Sequence, residues 1–403
     1  MQKQLPSPLE FIALMASLMS VVALAIDALL PALDIISSSL NVLDSRDSQL
    51  LIISIFLGLG IGPLLFGPLS DTLGRKPIVY MGFGIFIIAS FICVSAESLE
   101  LMLLGRLLQG IGLSAPRTIS ISIIRDAYSG DYMARIMSFV TVIFLLVPIV
   151  APALGKFMLD LYGWKAIFYI QLVFAVMVCF WFYIRQPETL LPANRKLFTP
   201  KQFVSSSKEL LSYNDTIGYT VISGFITGSF MVYLSTSQQI FQRQYGLVNE
   251  FPFIFAGLAI SVGAATLLNG TLVLKFGMKK LVSIALWLFF LISLTYILLF
   301  SSGENPSIFI LLLFFALQFF AIGFLFGNVR ALAMQPVGHI AGMGAALTGF
   351  LSTLMAVPIS IYIGRTVSTS TLPLFVGFLI CSILSILVLF YVKKDEKKKS
   401  IVS

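Results

Sequence analysis

The sequence predicts an all-α integral membrane protein: twelve transmembrane helices in two pseudo-symmetric six-helix bundles. Three observations predict it. Hydrophobic residues fill 58% of the 403 positions and charged residues only 11%, less than half the charged share of an ordinary soluble domain. So little charge cannot cover a water-facing exterior of that size, so the exterior faces lipid. Apolar stretches of about 20 residues, long enough to cross a hydrocarbon core, recur along the whole chain. The longest polar stretch falls after the sixth of them, with six more to follow.

The first span, roughly 9–32, has only Lys3 before it and is too long for the core of a secretion signal. No small-residue cleavage site follows, so it reads as retained. Span two, 48–69, runs into a Gly-Pro pair at Gly67-Pro68, and span three, 78–96, starts after Pro77. Span four, 101–124, carries Arg106 and Arg117. Span five, 134–158, carries Pro148 and Pro152, and span six, 165–184, ends at Arg185. The second half follows with 215–240, 250–274, 281–301, 307–329, 340–364 and 371–392. Cys93, Cys179 and Cys381 all lie inside apolar runs and read as small buried hydrophobes. No zinc spacing or disulfide framework exists, and no metal or cofactor is expected.

Basic residues set the orientation. With both termini cytoplasmic, the opposite face holds only Arg46, Lys156, Lys165, Arg243 and Arg365, and Arg106 and Arg117 stay inside a span. All other Lys and Arg residues are then cytoplasmic, from Lys3 to the tail lysines Lys393, Lys394, Lys397, Lys398 and Lys399. The net charge of +8 is therefore a loop excess, and no nucleic-acid partner is implied. The stretch 185–214 holds Pro187, Pro192, Pro200 and five cationic residues. It divides the chain into a bundle over 1–184, a cytoplasmic linker over 185–214, and a second bundle over 215–403 with a basic tail. A shift of 203 superposes Gly67, Leu69, Gly74 and Lys76 on Gly270, Leu272, Gly277 and Lys279. Internal repeats of this kind are frequent in secondary transporters, which hold substrate near the midplane.

The loop between spans two and three reads Gly67-Pro68-Leu69-Ser70-Asp71-Thr72-Leu73-Gly74-Arg75-Lys76-Pro77. Gly67 would let helices approach closely and Gly74 would permit a tight turn. Asp71, a carboxylate at a membrane boundary, needs a partner. This loop resembles the signature loop of the major facilitator superfamily, and the resemblance covers the whole chain. It implies a charge cluster of Asp71, Arg75 and Asp126 facing the start of span eleven at Gly338-His339-Ile340-Ala341-Gly342, which would latch the halves on the cytoplasmic side. The alternative is that these charges only anchor topology.

Asp27 lies near the outer end of span one, in Ala25-Ile26-Asp27-Ala28-Leu29-Leu30-Pro31. An intramembrane carboxylate must face protein or water. Burial and a neighbouring cation act on a carboxylate in opposite senses, and one balanced between them can load and release a proton. An interfacial acid or helix cap is the other reading. Span four carries Leu104-Gly105-Arg106-Leu107-Leu108-Gln109-Gly110. Arg106 keeps its charge wherever it sits and needs an acid, carbonyls or water. The same Arg-Gln-Gly spacing occurs in drug/proton antiporters, and this resemblance implies a proton-coupling pair of Asp27 and Arg106; the alternative is a snorkelling arginine. Arg117 follows Pro116 and would line a cavity or pair with Asp126.

Span five, Val147-Pro148-Ile149-Val150-Ala151-Pro152-Ala153-Leu154-Gly155, partly resembles the antiporter motif, with Ala151 and Lys156 where the family has glycine. Prolines bending a helix account for the same residues. The stretch from Gly327 to Gly342 resembles Bcr/CflA-type exporters, with Gln335 where they carry an acid. His339 reads as structural.

Candidates to line a substrate cavity are Gln109, Arg117, Tyr219, Tyr233, Gln238, Asn269, Gln318 and Asn328. The 36 Phe and 14 Met suit an adaptable apolar pocket. The resemblance implies a monomeric, multi-pass protein of the bacterial inner membrane that exports a small drug-like molecule against protons. A proton-coupled uptake symporter for a nutrient or amino acid keeps the fold and reverses direction. A membrane-embedded enzyme or receptor is the reading of another class, and it has no His-Glu-x-x-His run, no paired intramembrane aspartates and no nucleotide loop behind it.

Overall fold

The computed structural model describes residues 7–42, 44–190, 195 and 200–402. The sequence-predicted linker residues 191–194 and 196–199 lie outside the described residues, as does the side chain of His339. Helices dominate, and no strand occurs among the described residues. The chain divides into two compact units, residues 1–200 and 201–403.

The first unit contains α1 (Pro8–Asp27), α2 (Leu33–Ser39), α3 (Leu50–Leu73), α4 (Arg75–Val94), α5 (Leu99–Ala127), α6 (Gly130–Tyr162) and α7 (Lys165–Arg185). The second contains α8 (Pro200–Leu210), α9 (Asn214–Gln238), α10 (Phe251–Phe276), α11 (Met278–Leu299), α12 (Ile308–Met334), α13 (Ala341–Thr366) and α14 (Leu372–Val402). Among the described residues twelve segments are long and apolar enough to cross a membrane, six in each unit, with α1 and α2 together forming the first. The twelve expected spans are all present. Several helices run past the apolar stretch that identified them; α5, for example, extends to Ala127. Hydropathy marks where lipid would be, whereas a helix ends where its cap is.

The breaks have local causes. Pro31 has no N–H to donate, and its ring would strike the carbonyl four residues back, which is that of Asp27. The helix α1 ends at Asp27, and the chain passes through a 3₁₀ turn, Leu30–Ala32, before α2. Gly74 (φ +107°) turns α3 into α4, and Gly277 (φ +78°) does the same between α10 and α11.

Within the first unit, α3 crosses α5 where Gly58 meets Gly110; a Cβ on either would run into the partner's backbone. By contrast, a Cβ at Gly67 meets no atom within 4 Å. The ends of the six-span set are tied together. Arg185 on α7 donates from Nε and Nη2 to the two carboxylate oxygens of Glu10 on α1, at 2.5 and 2.6 Å. In the second unit Asn214 at the start of α9 donates to Asp395 on α14 at 3.1 Å.

The second unit has an aromatic core. The Tyr233 ring stands 4.5 Å from that of Phe319 and 5.3 Å from that of Phe315, and Phe315 stands 5.4 Å from Phe375. A π-helical turn, Gln239–Gln244, extends α9.

Candidate functional site

The charged residues singled out from sequence gather in the first unit, in two constellations. The first lies at the end of α1. Asp27 is 5% exposed, and no ion pair within 4.0 Å joins it to Arg106 among the described residues. The neighbouring Ala28 backbone is crossed by α6 at Gly155, where a Cβ would overlap the Ala28 carbonyl. Beside Gly155, Lys156 pairs with Asp160 at 2.6 Å.

Arg106, on α5, is fully buried. Its Nε donates to the Leu51 carbonyl at 3.1 Å. Its Nη1 donates to the Ala25 carbonyl at 3.1 Å and to Gln109 Oε1 at 2.8 Å. Nη2 is buried with no hydrogen-bond partner among the described residues. The guanidinium is therefore held by neutral oxygens of α1, α3 and α5, with no carboxylate among them. This is one of the arrangements an intramembrane arginine requires. Gln109, expected to line a cavity, is fully buried and belongs to this network. Its Nε2 donates to Ser90 Oγ at 2.7 Å, and Ser90 donates to the Phe86 carbonyl.

The second unit repeats half of this arrangement. Gln318 Nε2 donates to Ser293 Oγ at 2.6 Å, and Ser293 donates to the Phe289 carbonyl. Ser293 and Phe289 stand 203 positions after Ser90 and Phe86, the same shift that aligns the two glycine-turn loops. Three residues before Gln318, where the first unit has Arg106, stands Phe315. The Gln318 Oε1 is buried without a donor among the described residues.

The second constellation is the α3–α4 turn. Arg75 is buried at 3% exposure. Its Nη1 donates to Asp71 Oδ1 at 2.6 Å and to Ser70 Oγ at 2.8 Å, and its Nε donates to Asp126 Oδ2 at 2.9 Å. Asp126 stands near the end of α5, so the cluster clasps three helices. Arg117 is half-buried on α5.

The cavity candidates of the second unit stand on α9, α10 and α12. Asn269 and Asn328 bond reciprocally, at 3.3 and 2.6 Å, joining α10 to α12. Gln238 donates to Gln242 Oε1 at 2.9 Å. Tyr233 belongs to the aromatic core, and Tyr219 is buried on α9. Sequence reasoning missed Ser70, Ser90, Glu188 and Thr189. Serines inside spans carry no distinguishing pattern, and Glu188 reaches its partners from 113 and 112 residues away.

Twelve membrane-length helices in two six-span units, with a buried arginine and a charged turn in the first, define a membrane transporter of the two-bundle kind. The chain belongs to the Major Facilitator Superfamily, whose model matches residues 15–360. It is a multi-pass integral membrane protein and, like its relatives, a transporter and not an enzyme. It is 24% identical, over 98% of its length and 99% of the relative's, to a bicyclomycin resistance protein homolog of Haemophilus influenzae. It is 26% identical to the multidrug resistance protein MdtL of Citrobacter koseri, over 91% of this chain and 92% of that one. The crystal structure of a D-xylose-proton symporter matches with a TM-score of 0.73 at 16% identity, covering 96% of each chain, and shares the fold.

Proposed function

We propose that the protein exports small, drug-like organic compounds in exchange for protons, by alternating access, across a bacterial inner membrane, as a monomer with both termini cytoplasmic. The observation that carries this reading is Asp27, a carboxylate 5% exposed at the end of α1, inside the first span, with no ion pair to Arg106. An acid sheltered from water, with no cation paired to it within 4.0 Å, is a place for a proton. Arg106 grips the backbone of the same helix end, so a change at Asp27 is felt directly by α5. The names of the relatives, which speak of bicyclomycin and multidrug resistance, support the class of substrate. The charge excess on one set of loops supports the orientation.

In this mechanism a proton loaded onto Asp27 from outside favours closure on that side and opening inward. Substrate from the cytosol then displaces the proton. The Asp71–Arg75–Asp126 cluster serves as the cytoplasmic latch. Asn269, Asn328, Gln238, Gln318, Tyr219, Tyr233, Gln109 and Arg117 remain the proposed source of substrate contacts. The energetics suffice: one charge crossing about 150 mV supplies about 3.5 kcal/mol, and one pH unit adds about 1.4. Together these sustain a substrate gradient on the order of 10³.

The test is a substrate screen in inverted vesicles carrying a pH gradient, read with a pH-sensitive dye. Exported compounds release protons from the acidified lumen on addition. A compound whose accumulation is driven by the opposite gradient would establish the uptake symporter instead.

A further inference from the structure

The chain leaving α7 is bonded to the α3–α4 turn and the start of α4 through side chains and backbone alike. Glu188 accepts from the backbone N–H of Arg75 through Oε1 and from that of Lys76 through Oε2, both at 3.0 Å. Its Oε1 also takes the N–H groups of Thr189 and Leu190, both at 2.9 Å. Thr189 Oγ1 donates to Asp126 Oδ2 at 3.1 Å, the oxygen that holds Arg75 Nε. In return, Lys76 Nζ donates to the carbonyls of Gln186 at 2.5 Å and Tyr183 at 3.3 Å.

The chemistry of the turn explains the arrangement. Gly74, at φ +107°, precedes α4 and has no side chain to cap the first N–H groups of that helix. A carboxylate in that place meets both the open donors and the positive end of the helix dipole. The absent Cβ also makes room, since one built at Gly74 would stand 2.7 Å from Glu188 Oε2. Arg75 is thus held twice, by its side chain through Asp71, Asp126 and Ser70, and by its backbone through Glu188.

We propose that Glu188 is a positioning residue that makes residues 186–190 a strap over the Arg75 cluster, so that the cluster and the first residues of the linker tighten and loosen as one unit. The strap has three fastenings, Glu188 on the α4 backbone, Thr189 on Asp126, and the Gln186 carbonyl on Lys76 Nζ. The chain leading to the second unit therefore departs from a point that senses the partners of Arg75. This proposal stands apart from proton coupling and from the direction of transport.

Hydrogen exchange of the full-length protein in lipid nanodiscs tests it, through peptides spanning 74–78 and 187–191. Glu188→Ala is expected to speed exchange at Arg75, Lys76, Thr189 and Leu190 by about tenfold, and Glu188→Gln, which keeps the acceptor oxygen, by less. Asp126→Asn touches none of these amides. Coupling requires that it speed their exchange too, by about threefold or more. Thr189→Val cuts the same link by removing one hydroxyl, and serves if Asp126→Asn does not fold. Unchanged exchange at Arg75 and Lys76 in both Asp126→Asn and Thr189→Val would reduce Glu188 to an independent helix cap and overturn the strap. So would unchanged exchange in Glu188→Ala.

Discussion

Arg106 donates through Nη1 to the carbonyl oxygen of Ala25 at 3.1 Å, two residues before Asp27. The buried cation is thereby attached to the helix end that carries the buried acid, through the backbone and without an ion pair. The proposed proton site is one in which charge and carboxylate share a helix end while the carboxylate stays open to a proton.

Replacing Asp27 by Asn is expected to abolish proton-driven transport and leave insertion and folding intact. No ion pair to Arg106 is lost, so the change in stability stays within about 1 kcal/mol. Dye-reported proton flux and a thermal melt of the purified protein check the two halves of this expectation. Proton-coupled export that persists in Asp27→Asn would sink the proposed site.

The two glutamine–serine pairs make a controlled comparison between the units. Gln109→Leu takes an acceptor from Arg106 Nη1 and a donor from Ser90, and is expected to cost about 2–3 kcal/mol. Gln318→Leu removes a donor from Ser293 but frees no charged group and relieves the buried Oε1. It is expected to cost about 1 kcal/mol or less. Denaturation of each variant in the same detergent measures the difference. Equal losses would show that Arg106 does not depend on Gln109.

In the charged turn, Asp126 and Asp71 are not equal partners. The side chain of Asp126 is 17% exposed and that of Asp71 43%, so solvent screens the latter more. Asp126→Ala is expected to destabilise the first unit by about 2 kcal/mol and Asp71→Ala by less than about 1. Both are expected to raise the reactivity of cysteine probes placed on the cytoplasmic side, as the proposed latch requires. Probe labelling on both faces, alongside stability, tests this, and labelling equal to the parent in both variants counts against the latch.

Glycine substitutions separate a packed crossing from an open one. Gly155→Ala places a methyl group in the Ala28 carbonyl, next to Asp27, and is expected to cost about 2 kcal/mol with a marked loss of transport. Gly67→Ala meets nothing and is expected to fold as the parent does. Thermal midpoints and transport assays of the pair check both. A Gly155→Ala protein as stable and active as the parent would show that α6 can shift away from α1.

Much of the architecture was legible because it rests on local properties. A span shows itself by the length of its apolar run, and the glycine turns Gly74 and Gly277 show themselves by their repeat. Pro31 was visible as well, though its consequence, a helix ending at Asp27 itself, follows from where the proline ring falls one turn earlier. A Cβ at Gly67 meets no atom within 4 Å. Glycine spacing alone does not say which helix face meets another, and the tight α3–α5 crossing falls at Gly58 and Gly110. Asp71, Arg75 and Asp126 were named in advance because their pattern is a recurring one.

The sequence by itself determined the number of membrane-length helices, the two-fold repeat, and the scarcity that makes each buried charge conspicuous. Only the tertiary structure decided what those charges hold. Arg106 is met by carbonyls from 55 and 81 residues away, and Arg75 by a carboxylate 51 residues away on its side chain and another 113 away on its backbone. A backbone carbonyl is present at every position and leaves no mark in the amino-acid string. Which carbonyl answers a buried cation is therefore settled by packing, once the helices have been brought side by side.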